Sequence, residues 1–369
     1  MNYSYWELKE WFSNIDFTIV GSGIVGLNCA LELKKRHPKA KILILEKGML
    51  PQGASTKNAG FACFGSLSEI MDDLNSHTTQ EVYDLIDKRW RGVQLLRNNL
   101  GDKNIDFQQN KGFELCESEG FFEECIAEQT TINNLLKPIF KEAVFSTSEN
   151  TFNFQKVHSK YIVNNFEGQI DTGKMAYALL HKVQKLGIKI LNNISVESFV
   201  GLDTSVEVKT SKINFKTNKL FIATNGFANQ LLAEKVQPAR AQVLITKPIE
   251  NLQVKGTFHL DKGYYYFRNI DNRILFGGGR NLDFKNEETA EFGQTAIIQN
   301  ELDKILKETI LPNTPFEIAQ RWSGIMGVGN QKKAIVKQHS DNVFCGVRLG
   351  GMGIAIGSLV GKELAELIS

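Results

Sequence analysis

The sequence lacks the features of several protein classes. No apolar run reaches the roughly 18 residues that a membrane-spanning helix needs, and the longest candidate, 349–361, is short and rich in glycine. The five cysteines are odd in number and show no CxxC spacing, which argues against a disulfide framework or a zinc site. The six histidines show no paired ligand spacing. We therefore expect no metal site, and we interpret the histidines as ordinary surface or core residues.

A large excess of charge of one sign is also absent. The 43 basic and 41 acidic side chains leave a formal charge of +2, whereas a general nucleic-acid binder needs a basic surface. The segment 1–12 mixes aromatic with charged residues and does not resemble a secretory signal. Together with the unpaired cysteines, this favours a reducing cytoplasm. Hydrophobic residues at 42% of 369 residues are enough for two lobes with separate cores.

The most informative stretch present is a strand, a glycine-rich turn and a helix. A strand over 17–20 precedes a helix that ends near Arg36, and between them lies the run Gly21, Ser22, Gly23, Ile24, Val25, Gly26. Gly21 would permit the turn, Gly23 would let a pyrophosphate approach the backbone, and Gly26 would let the helix pack closely on the sheet. The pattern predicts a dinucleotide whose phosphates lie at the helix N-terminus.

A second strand, 41–45, ends at Glu46, twenty residues after Gly26. A carboxylate at this place can accept hydrogen bonds from both ribose hydroxyls and would repel a 2′-phosphate. The nucleotide is therefore expected to be FAD or NAD and not NADP.

The segment after Glu46 decides between these two nucleotides. It resembles the GAS..NAG loop of the glycine oxidase and D-amino acid dehydrogenase family of flavoproteins, here Lys47, Gly53, Ala54, Ser55, Thr56, Lys57, Asn58, Ala59 and Gly60. In that family the loop runs past the pyrophosphate and the flavin ring and donates backbone N–H groups. The resemblance therefore implies FAD as the cofactor.

Two later segments resemble the same family in the same order. In the first, which includes 168–175, the resemblance implies that Val196 meets the adenine edge and that Thr224 and Gly226 close over the cofactor. The second is the turn before the last helix, with Arg348, Leu349, Gly350, Gly351, Met352, Gly353 and Ile354. The N-terminus of that helix would face the N1–C2=O edge of the flavin, which becomes negative on reduction.

The resemblance implies an α/β fold with two domains. One is a Rossmann-like, glutathione-reductase-like FAD-binding domain, expected to be discontinuous over 1–65, 160–235 and 319–369. The other is an α+β substrate domain on an antiparallel-rich sheet, expected over 66–159 and 236–318. Within the second domain, periodicity predicts helices over 81–100 and 121–136 and strands over 241–246, 263–268 and 273–278.

The resemblance also implies a reaction. Such enzymes take a hydride from the C–H next to the nitrogen of a small amine or amino acid, and the resulting imine is hydrolysed. The electron acceptor would be oxygen, a quinone or another carrier, because the lysine that promotes reaction with oxygen in sarcosine oxidases is replaced here by Leu275. Three alternatives stay open: oxidation of a 2-hydroxy acid, modification of a tRNA side-chain amine, and flavin binding without catalysis. The flavin-contacting segments contain no histidine that would support oxidation of a hydroxy acid.

The residues that recognise the substrate depart from the family. Tyr265 aligns with a tyrosine that could donate to a carboxylate, although it could instead be a packing residue. The family's carboxylate-binding arginine is replaced by Met326. Either another cation takes its place or the substrate lacks an α-carboxylate. We prefer Arg348, which lies in the turn before the flavin-facing helix, and the other candidates are Lys332, Lys333 and Arg280.

We expect the FAD to be bound without a covalent bond. Ser55 to Asn58 occupy the place where some relatives carry the histidine that attaches the flavin. Cys63 lies near the expected ring and could form a thioether, but a buried packing cysteine is the preferred interpretation.

Overall fold

The computed structural model describes residues 2–368, so Met1 and Ser369, the outermost residues of the expected first domain, lie outside the described residues. The strands are, in chain order, Ile15–Val20 (β1), Ile42–Leu45 (β2), Phe61–Ala62 (β3), Gly112–Leu115 (β4), Phe145–Glu149 (β5), Lys160–Asn164 (β6), Gly168–Gln169 (β7), Lys189–Leu191 (β8), Val196–Gly201 (β9), Val206–Thr210 (β10), Asn214–Ile222 (β11), Gln237–Thr246 (β12), Thr257–Leu260 (β13), Tyr265–Ile270 (β14), Arg273–Gly278 (β15), Ile318–Val328 (β16), Ile335–Ser340 (β17) and Val343–Val347 (β18).

The α-helices are Tyr5–Glu7 (α1), Ile24–Arg36 (α2), Leu67–Ser76 (α3), Thr79–Leu100 (α4), Asp102–Ile105 (α5), Glu119–Phe140 (α6), Thr172–Lys185 (α7), Ala296–Ile305 (α8) and Gly353–Glu366 (α9). The two long helices α4 and α6 cover the stretches where periodicity predicts helices. Among residues 2–368, no helix combines the length and the apolar character that crossing a bilayer requires.

The first sheet has the strand order β17-β18-β11-β1-β2-β8, and β10 and β9 extend it from β11. The neighbours from β18 to β8 run parallel, as strands joined by crossover helices do. Helices α2, α4, α7 and α9 contribute to the apolar core on one face of this sheet. Gly361 lets α9 approach α2 closely, because a Cβ at Gly361 would lie 2.5 Å from the Val25 carbonyl oxygen.

The second sheet has the order β16-β12-β15-β14-β13-β4-β6-β5 and is antiparallel except between β13 and β4. This sheet carries the core of a second lobe, together with α8, while α3, α4 and α6 pack into a further cluster at its side. The two sheets confirm an α/β fold with a second, antiparallel-rich lobe.

The sheets do not follow the expected domain boundaries at 160 and 319. Strand β6 lies in the second sheet, although the boundary at 160 assigns it to the first domain. Strand β16 pairs with β12 along almost its whole length, from Gln237 opposite Val328 to Thr246 opposite Ile318. We therefore propose a division into two domains by sheet membership, in which both strands belong to the second domain.

Candidate active site

A cavity of about 850 Å³ lies between the two sheets, within the range of small-molecule and cofactor sites. One side is formed by the carboxyl ends of β1 and β2, the loop 53–60 and the turn 349–355, and we call it the glycine wall. The other side is formed by the facing residues of β12 to β15, the segment 280–292 and Glu69 of α3, and we call it the aromatic wall. Ligands of open parallel sheets bind at the carboxyl ends of the strands.

The glycine-rich turn of the glycine wall has no room for side chains. Gly21 has a φ of 103°, and a Cβ there would lie 2.8 Å from the Ala223 carbonyl oxygen. A Cβ at Gly23 would lie 2.9 Å from Ser55 Oγ, and one at Gly26 would collide with the Gly21 carbonyl oxygen. Gly21 and Gly23 line the cavity and Gly26 packs behind it. The three glycines have the places that the motif predicts.

Glu46 lines the cavity at the end of β2 and is only 6% exposed. Its Oε2 accepts hydrogen bonds from the backbone N–H and the hydroxyl of Ser22 at 3.0 and 2.6 Å, and its Oε1 accepts one from the Gly48 N–H at 3.0 Å. The Gln52 N–H makes a fourth, long contact to Oε1 at 3.5 Å. The three short bonds fix the carboxylate, and a ligand could take the place of the long Gln52 contact. Ser22 lies behind Glu46 and does not line the cavity.

The loop 53–60 is held by contacts to distant parts of the chain. Ser55 Oγ accepts a hydrogen bond from the Ile24 N–H at 2.9 Å, at the start of α2. Asn58 accepts from the Gly60 N–H and from Thr172 Oγ1. The indole N–H of Trp322, on β16, donates to the Lys57 carbonyl oxygen at 2.9 Å. The loop therefore joins both sheets at the cavity.

The segment after β11 contains two of the expected cofactor residues, Thr224 and Gly226. Thr224 lines the cavity, and its Oγ1 is buried without a hydrogen-bond partner anywhere in the described part of the chain. A native buried hydroxyl normally has a partner, so this atom points to a ligand. Gly226 does not line the cavity, since a Cβ there would run into the Met326 carbonyl oxygen.

The turn before α9 contacts the cavity, but the Arg348 side chain does not. Arg348 has a φ of 64°, and its guanidinium donates to the Lys333 carbonyl oxygen at 2.9 and 3.1 Å and to the Lys235 carbonyl oxygen at 3.4 Å. These backbone acceptors hold it outside the cavity. The preference for Arg348 as the substrate-binding cation is therefore wrong.

Most expected cofactor residues line the cavity. They are Gly21, Gly23, Ile24, Val25, Glu46, Lys47, Gly53, Ala54, Ser55, Lys57, Asn58, Ala59, Gly60, Val196, Thr224, Leu349, Gly350, Gly351, Met352, Gly353 and Ile354. The expected residues that do not line it are Ser22, Gly26, Thr56, Gly226, Tyr265 and Arg348. Thr56 instead donates its hydroxyl to the Pro51 carbonyl oxygen at 2.6 Å.

The tyrosines of the aromatic wall differ from the expectation. Tyr265 is 6% exposed and packs in the core of the second lobe, so its assignment as the substrate-binding tyrosine is wrong. Tyr264 and Tyr266 line the cavity instead, because neighbouring residues of a strand point to opposite faces. Gly277 leaves the space for the Tyr266 ring, as a Cβ at Gly277 would lie 2.8 Å from that ring.

Arg280 is the candidate cation that the structure places at the cavity. It follows β15, and its guanidinium carbon lies 4.6 Å from the centre of the Phe284 ring. Burial lowers the pKa of Arg280, and the nearby Tyr264 and Glu287 raise it; an arginine stays charged at neutral pH in any case. Lys332 pairs with Asp73 outside the cavity.

Sequence reasoning missed two ionisable groups of the aromatic wall. Glu69, in the first turn of α3, lines the cavity, and its Oε2 accepts the Ser66 N–H at 2.8 Å. His259, on β13, also lines the cavity and is 5% exposed. Its Nε2 lies 2.7 Å from Oε1 of Glu167, which is completely buried. His259 is thus a buried histidine, as one of the two expected alternatives has it, but it also lies at the cavity. Its only signal in the sequence is its place in a strand next to Tyr266.

No cluster of three or more histidine, cysteine or acidic side chains suited to a metal ion is found within residues 2–368.

The chain belongs to the FAD-dependent oxidoreductase family DAO, whose sequence profile it matches over residues 16–367. It is therefore an enzyme, and its cofactor is FAD. Among curated proteins, the probable oxidoreductase OrdL of Haemophilus influenzae is 20% identical over 369 residues, which cover 96% of this chain and 82% of that protein. The bifunctional protein ThiO/ThiG of Synechocystis is 24% identical over 62% of this chain and 32% of its own length.

Solved structures show the same fold. Glycine oxidase from Geobacillus kaustophilus superposes with a TM-score of 0.75 at 19% identity, covering 96% of this chain and 94% of that one. Iminodiacetate oxidase from Chelativorans sp. BNC1 superposes with a TM-score of 0.76 at 17% identity, covering 95% of both chains.

The cavity fits FAD on observations of this structure alone. The glycine wall presents Gly21 and Gly23 to the cavity, in a turn that is too tight for a Cβ at either residue. The hydroxyl of Thr224 is buried in this wall without a partner. The helices α2 and α9 both begin at the cavity, and helix N-termini favour negative groups such as a pyrophosphate.

Proposed function

We propose that this enzyme oxidises a small amino acid or related amine that bears an acidic group. When bound, FAD supplies the hydride acceptor for the C–H next to the substrate nitrogen, and water hydrolyses the resulting imine. The observation that carries the proposal is the pair of opposite charges on the aromatic wall: Arg280, which lies near Tyr264, and Glu69, which lies against Gly263. An amino acid carries the complementary pair, a carboxylate and an ammonium group.

The chain's own residues have distinct parts in this proposal. The backbone of Gly21 and Gly23 would hold the pyrophosphate, Glu46 the ribose, and Val196 the adenine edge. The start of α9 would stabilise the negative charge that reduction leaves on the flavin, because the helix dipole is positive there. The aromatic wall would hold the substrate on the other side of the ring and exclude water from it.

Arg280 is the group we assign to the substrate carboxylate. It forms no ion pair within the described residues, so its donors are available. Its fork of N–H groups matches a carboxylate in two parallel hydrogen bonds. Met326, which stands where the family has its arginine, lines the cavity as an apolar neighbour of Gly351.

Glu69 is the group we assign to the substrate nitrogen. One of its oxygens is bound by the Ser66 N–H, and within residues 2–368 the side chain forms no ion pair. Its carboxylate lies against Gly263, where a Cβ would be 2.7 Å from Oε1. A free carboxylate here can bind the ammonium form, and it can accept the proton that the nitrogen must lose before oxidation.

The names of the structural neighbours agree with this substrate class. They include a glycine oxidase, an iminodiacetate oxidase and an L-proline dehydrogenase from P. horikoshii. Each of these names describes an oxidation of an amino acid or an amine that carries acid groups. The proposal for this chain rests on its own charges and is supported by that agreement.

A 2-hydroxy acid is the second candidate, because His259 does reach the cavity. A hydroxy-acid dehydrogenase needs a base for the hydroxyl proton. Burial would lower the pKa of His259, but the charge and hydrogen bond of Glu167 raise it to about 9. A protonated imidazole is a poor base, and Arg280 with Glu69 complements the two charges of an amino acid, so the amine is the first candidate.

We also propose that FAD dissociates when the protein is denatured. Cys63 is the cavity's cysteine, and burial raises its pKa, as do the carboxylates of Glu167 and Glu69. A thiol rather than a thiolate is present, and the thiol is a poor nucleophile for forming a thioether. Acid precipitation should leave the yellow colour in the supernatant. Colour that stays with the polypeptide would contradict non-covalent binding.

Anaerobic bleaching tests the substrate proposal. The absorbance of the oxidised flavin, at about 450 nm, is followed after the addition of four panels of compounds. These are D- and L-amino acids, N-substituted glycines, amines without an acid group, and 2-hydroxy acids. We expect bleaching by amino acids or N-substituted glycines. Bleaching by hydroxy acids alone would exclude the amine proposal. Re-oxidation by air or by a soluble quinone then separates an oxidase from a dehydrogenase.

A further inference from the structure

The floor of the aromatic wall contains two hydrogen-bond donors that have no acceptor among residues 2–368. His259 on β13 and Tyr266 on β14 are directly opposite each other in an antiparallel pair, so their side chains leave the same face of the sheet. Residues in such a pair have Cβ atoms roughly 4.5–5.5 Å apart. Both side chains line the cavity.

The imidazole of His259 is fixed by Glu167. Its Nε2 lies 2.7 Å from Glu167 Oε1, and a partner on one ring nitrogen fixes the orientation of the other. In the described part of the chain, no hydrogen bond reaches Nδ1 of His259, and Nδ1 is not among the fully enclosed polar atoms. The Tyr266 hydroxyl likewise has no partner in residues 2–368 and is not enclosed.

Both groups remain donors at neutral pH. Glu167 raises the pKa of His259 to about 9 against the effect of burial, and burial raises the pKa of Tyr266 to about 12. Phe61 packs edge-on against both rings, with ring centres 5.3 and 5.6 Å away. Because this apolar contact excludes water, a hydrogen bond to an anion is stronger there than at the surface.

We propose that His259 Nδ1–H and the Tyr266 hydroxyl form a second site for an acidic group, so that the substrate carries two carboxylates, one for this pair and one for Arg280. This inference rests on the proposed function in assigning the nitrogen to Glu69 between the two acids. The substrate class is thus an amino dicarboxylate or an amine with two carboxyl-bearing substituents. Tyr266 and His259 would act by binding and positioning the substrate.

Acidic neighbours make a fixed positive charge necessary at this place. The titratable groups around His259 are Glu167, Glu114 on β4, Glu69 on α3, Cys63 after β3, and Tyr266 on β14. Burial raises the pKa of Glu114, whereas hydrogen bonds from Ser68 and Ser66 and the charge of His259 lower it. Glu167 balances the charge of His259, and the remaining donor at Nδ1 determines where an anion can bind.

The test uses the FAD-loaded enzyme and simple acids that cannot be oxidised. Calorimetry measures the affinity of the dicarboxylates malonate, succinate and glutarate and of the monocarboxylates acetate, propionate and butyrate. We expect at least one dicarboxylate to bind ten times more tightly than the monocarboxylate of similar length. Equal affinities in the two series would overturn the inference. Because no turnover is needed, this outcome is independent of whether an amine is the substrate.

Three variants locate the second site. His259→Asn and Tyr266→Phe should each remove most of the tenfold dicarboxylate preference and leave monocarboxylate binding within twofold. His181→Asn, an exposed histidine on α7 stacked on Tyr177, is the matched control and should keep the preference. Tyr266→Phe keeps the ring packing, so it gives an answer even if His259→Asn does not fold. A preference retained in Tyr266→Phe would overturn the assignment.

The pH dependence separates binding from a structural role. In the wild type the dicarboxylate preference should disappear as the pH rises through about 9, where His259 loses its proton. In Glu167→Gln the same loss should occur at a lower pH, because the charge that holds the proton is gone. An unchanged pH profile in Glu167→Gln would show that His259 does not act through its charge.

Discussion

The glycine wall presents backbone to the cavity, whereas the aromatic wall presents side chains. On the glycine wall, the groups that face the cavity are fixed by turns at Gly21 and by the start of α9, and side chains such as Glu46 are tied by several hydrogen bonds. On the aromatic wall, Arg280 and Glu69 keep unpaired polar atoms. The glycine wall therefore suits one cofactor. The aromatic wall suits a substrate, because single substitutions of its side chains would change which substrate it binds.

The two walls also differ in their effect on the stability of the folded protein. On the glycine wall, the Glu46 and Asn58 side chains are hydrogen-bonded within the protein, whereas the Thr224 hydroxyl is not. The aromatic wall leaves donors and charges without partners, and such groups cost stability until a ligand binds them. Unpaired polar groups in a cavity are therefore better evidence for a ligand than the groups that are already bonded.

The largest expected effect is on the glycine wall. In Gly26→Val, the new side chain collides with the Gly21 carbonyl oxygen, which separates α2 from β1. Overpacking of this kind typically costs about 1–3 kcal/mol and occasionally more, and the strand-to-helix turn moves with it. We expect the purified protein to retain less than about a hundredth of the normal FAD, a loss of about 2.7 kcal/mol or more in binding. Flavin absorbance per polypeptide after gel filtration measures this.

Gly201→Val is the matched control for that variant. Gly201 ends β9, has an ordinary φ, and has no atom within 4 Å of an added Cβ. It should keep a full complement of FAD and an unchanged melting temperature. If Gly26→Val also kept its flavin, the backbone of the turn would not be what holds the cofactor.

The glycine wall is the part of the site that the sequence predicts best. A glycine at a tight turn, a strand before it and a helix after it are local features, so a sequence motif can encode them. In the structure this turn lies between β1 and α2, and Gly21 and Gly23 line the cavity. The strand predicted over 273–278 coincides with β15. The loop 53–60 and the turn before α9 were found through family resemblance, and most of their residues reach the cavity.

The aromatic wall could not be predicted in the same way. Three tyrosines in a row, 264–266, show no alternation of polar and apolar residues, so the sequence does not reveal which of them faces the cavity. The partner of His259 lies 92 residues away along the chain. The direction of Arg348 depends on carbonyl oxygens of Lys235 and Lys333, which only the folded chain brings to it. These are long-range contacts, which no local pattern encodes.

The second effect concerns the two arginines. Arg280→Gln should raise the KM for an acid-bearing substrate by about 10- to 100-fold, since a hydrogen bond to a charged group is worth about 1.5–3 kcal/mol. Arg348→Gln should leave that KM within twofold, because its guanidinium binds backbone oxygens outside the cavity. Steady-state kinetics on both variants measures the contrast. A similar rise in KM for the two variants would mean that the assignment to Arg280 is wrong.

The smallest expected effect concerns the Thr224 hydroxyl of the glycine wall, which lacks a hydrogen-bond partner as the polar groups of the aromatic wall do. Thr224→Val removes a buried hydroxyl that has no partner in the described chain. We expect the apoenzyme to become more stable, by about 1 kcal/mol, because burying an unbonded hydroxyl is costly. The affinity for FAD should fall about fivefold, as the loss of one hydrogen bond of about 1 kcal/mol predicts. Thermal unfolding without FAD and FAD titration measure the two quantities.

Thr18→Val provides a control with the same chemistry at a different place. Thr18 lies on β1, is fully buried, and its Oγ1 also has no partner within residues 2–368, but it does not line the cavity. It should stabilise the apoenzyme as Thr224→Val does and leave the affinity for FAD unchanged. The comparison therefore separates a hydroxyl kept for a ligand from a hydroxyl that is merely buried. If both variants bound FAD as the wild type does, the Thr224 hydroxyl would not contribute to FAD binding, and this prediction would be wrong.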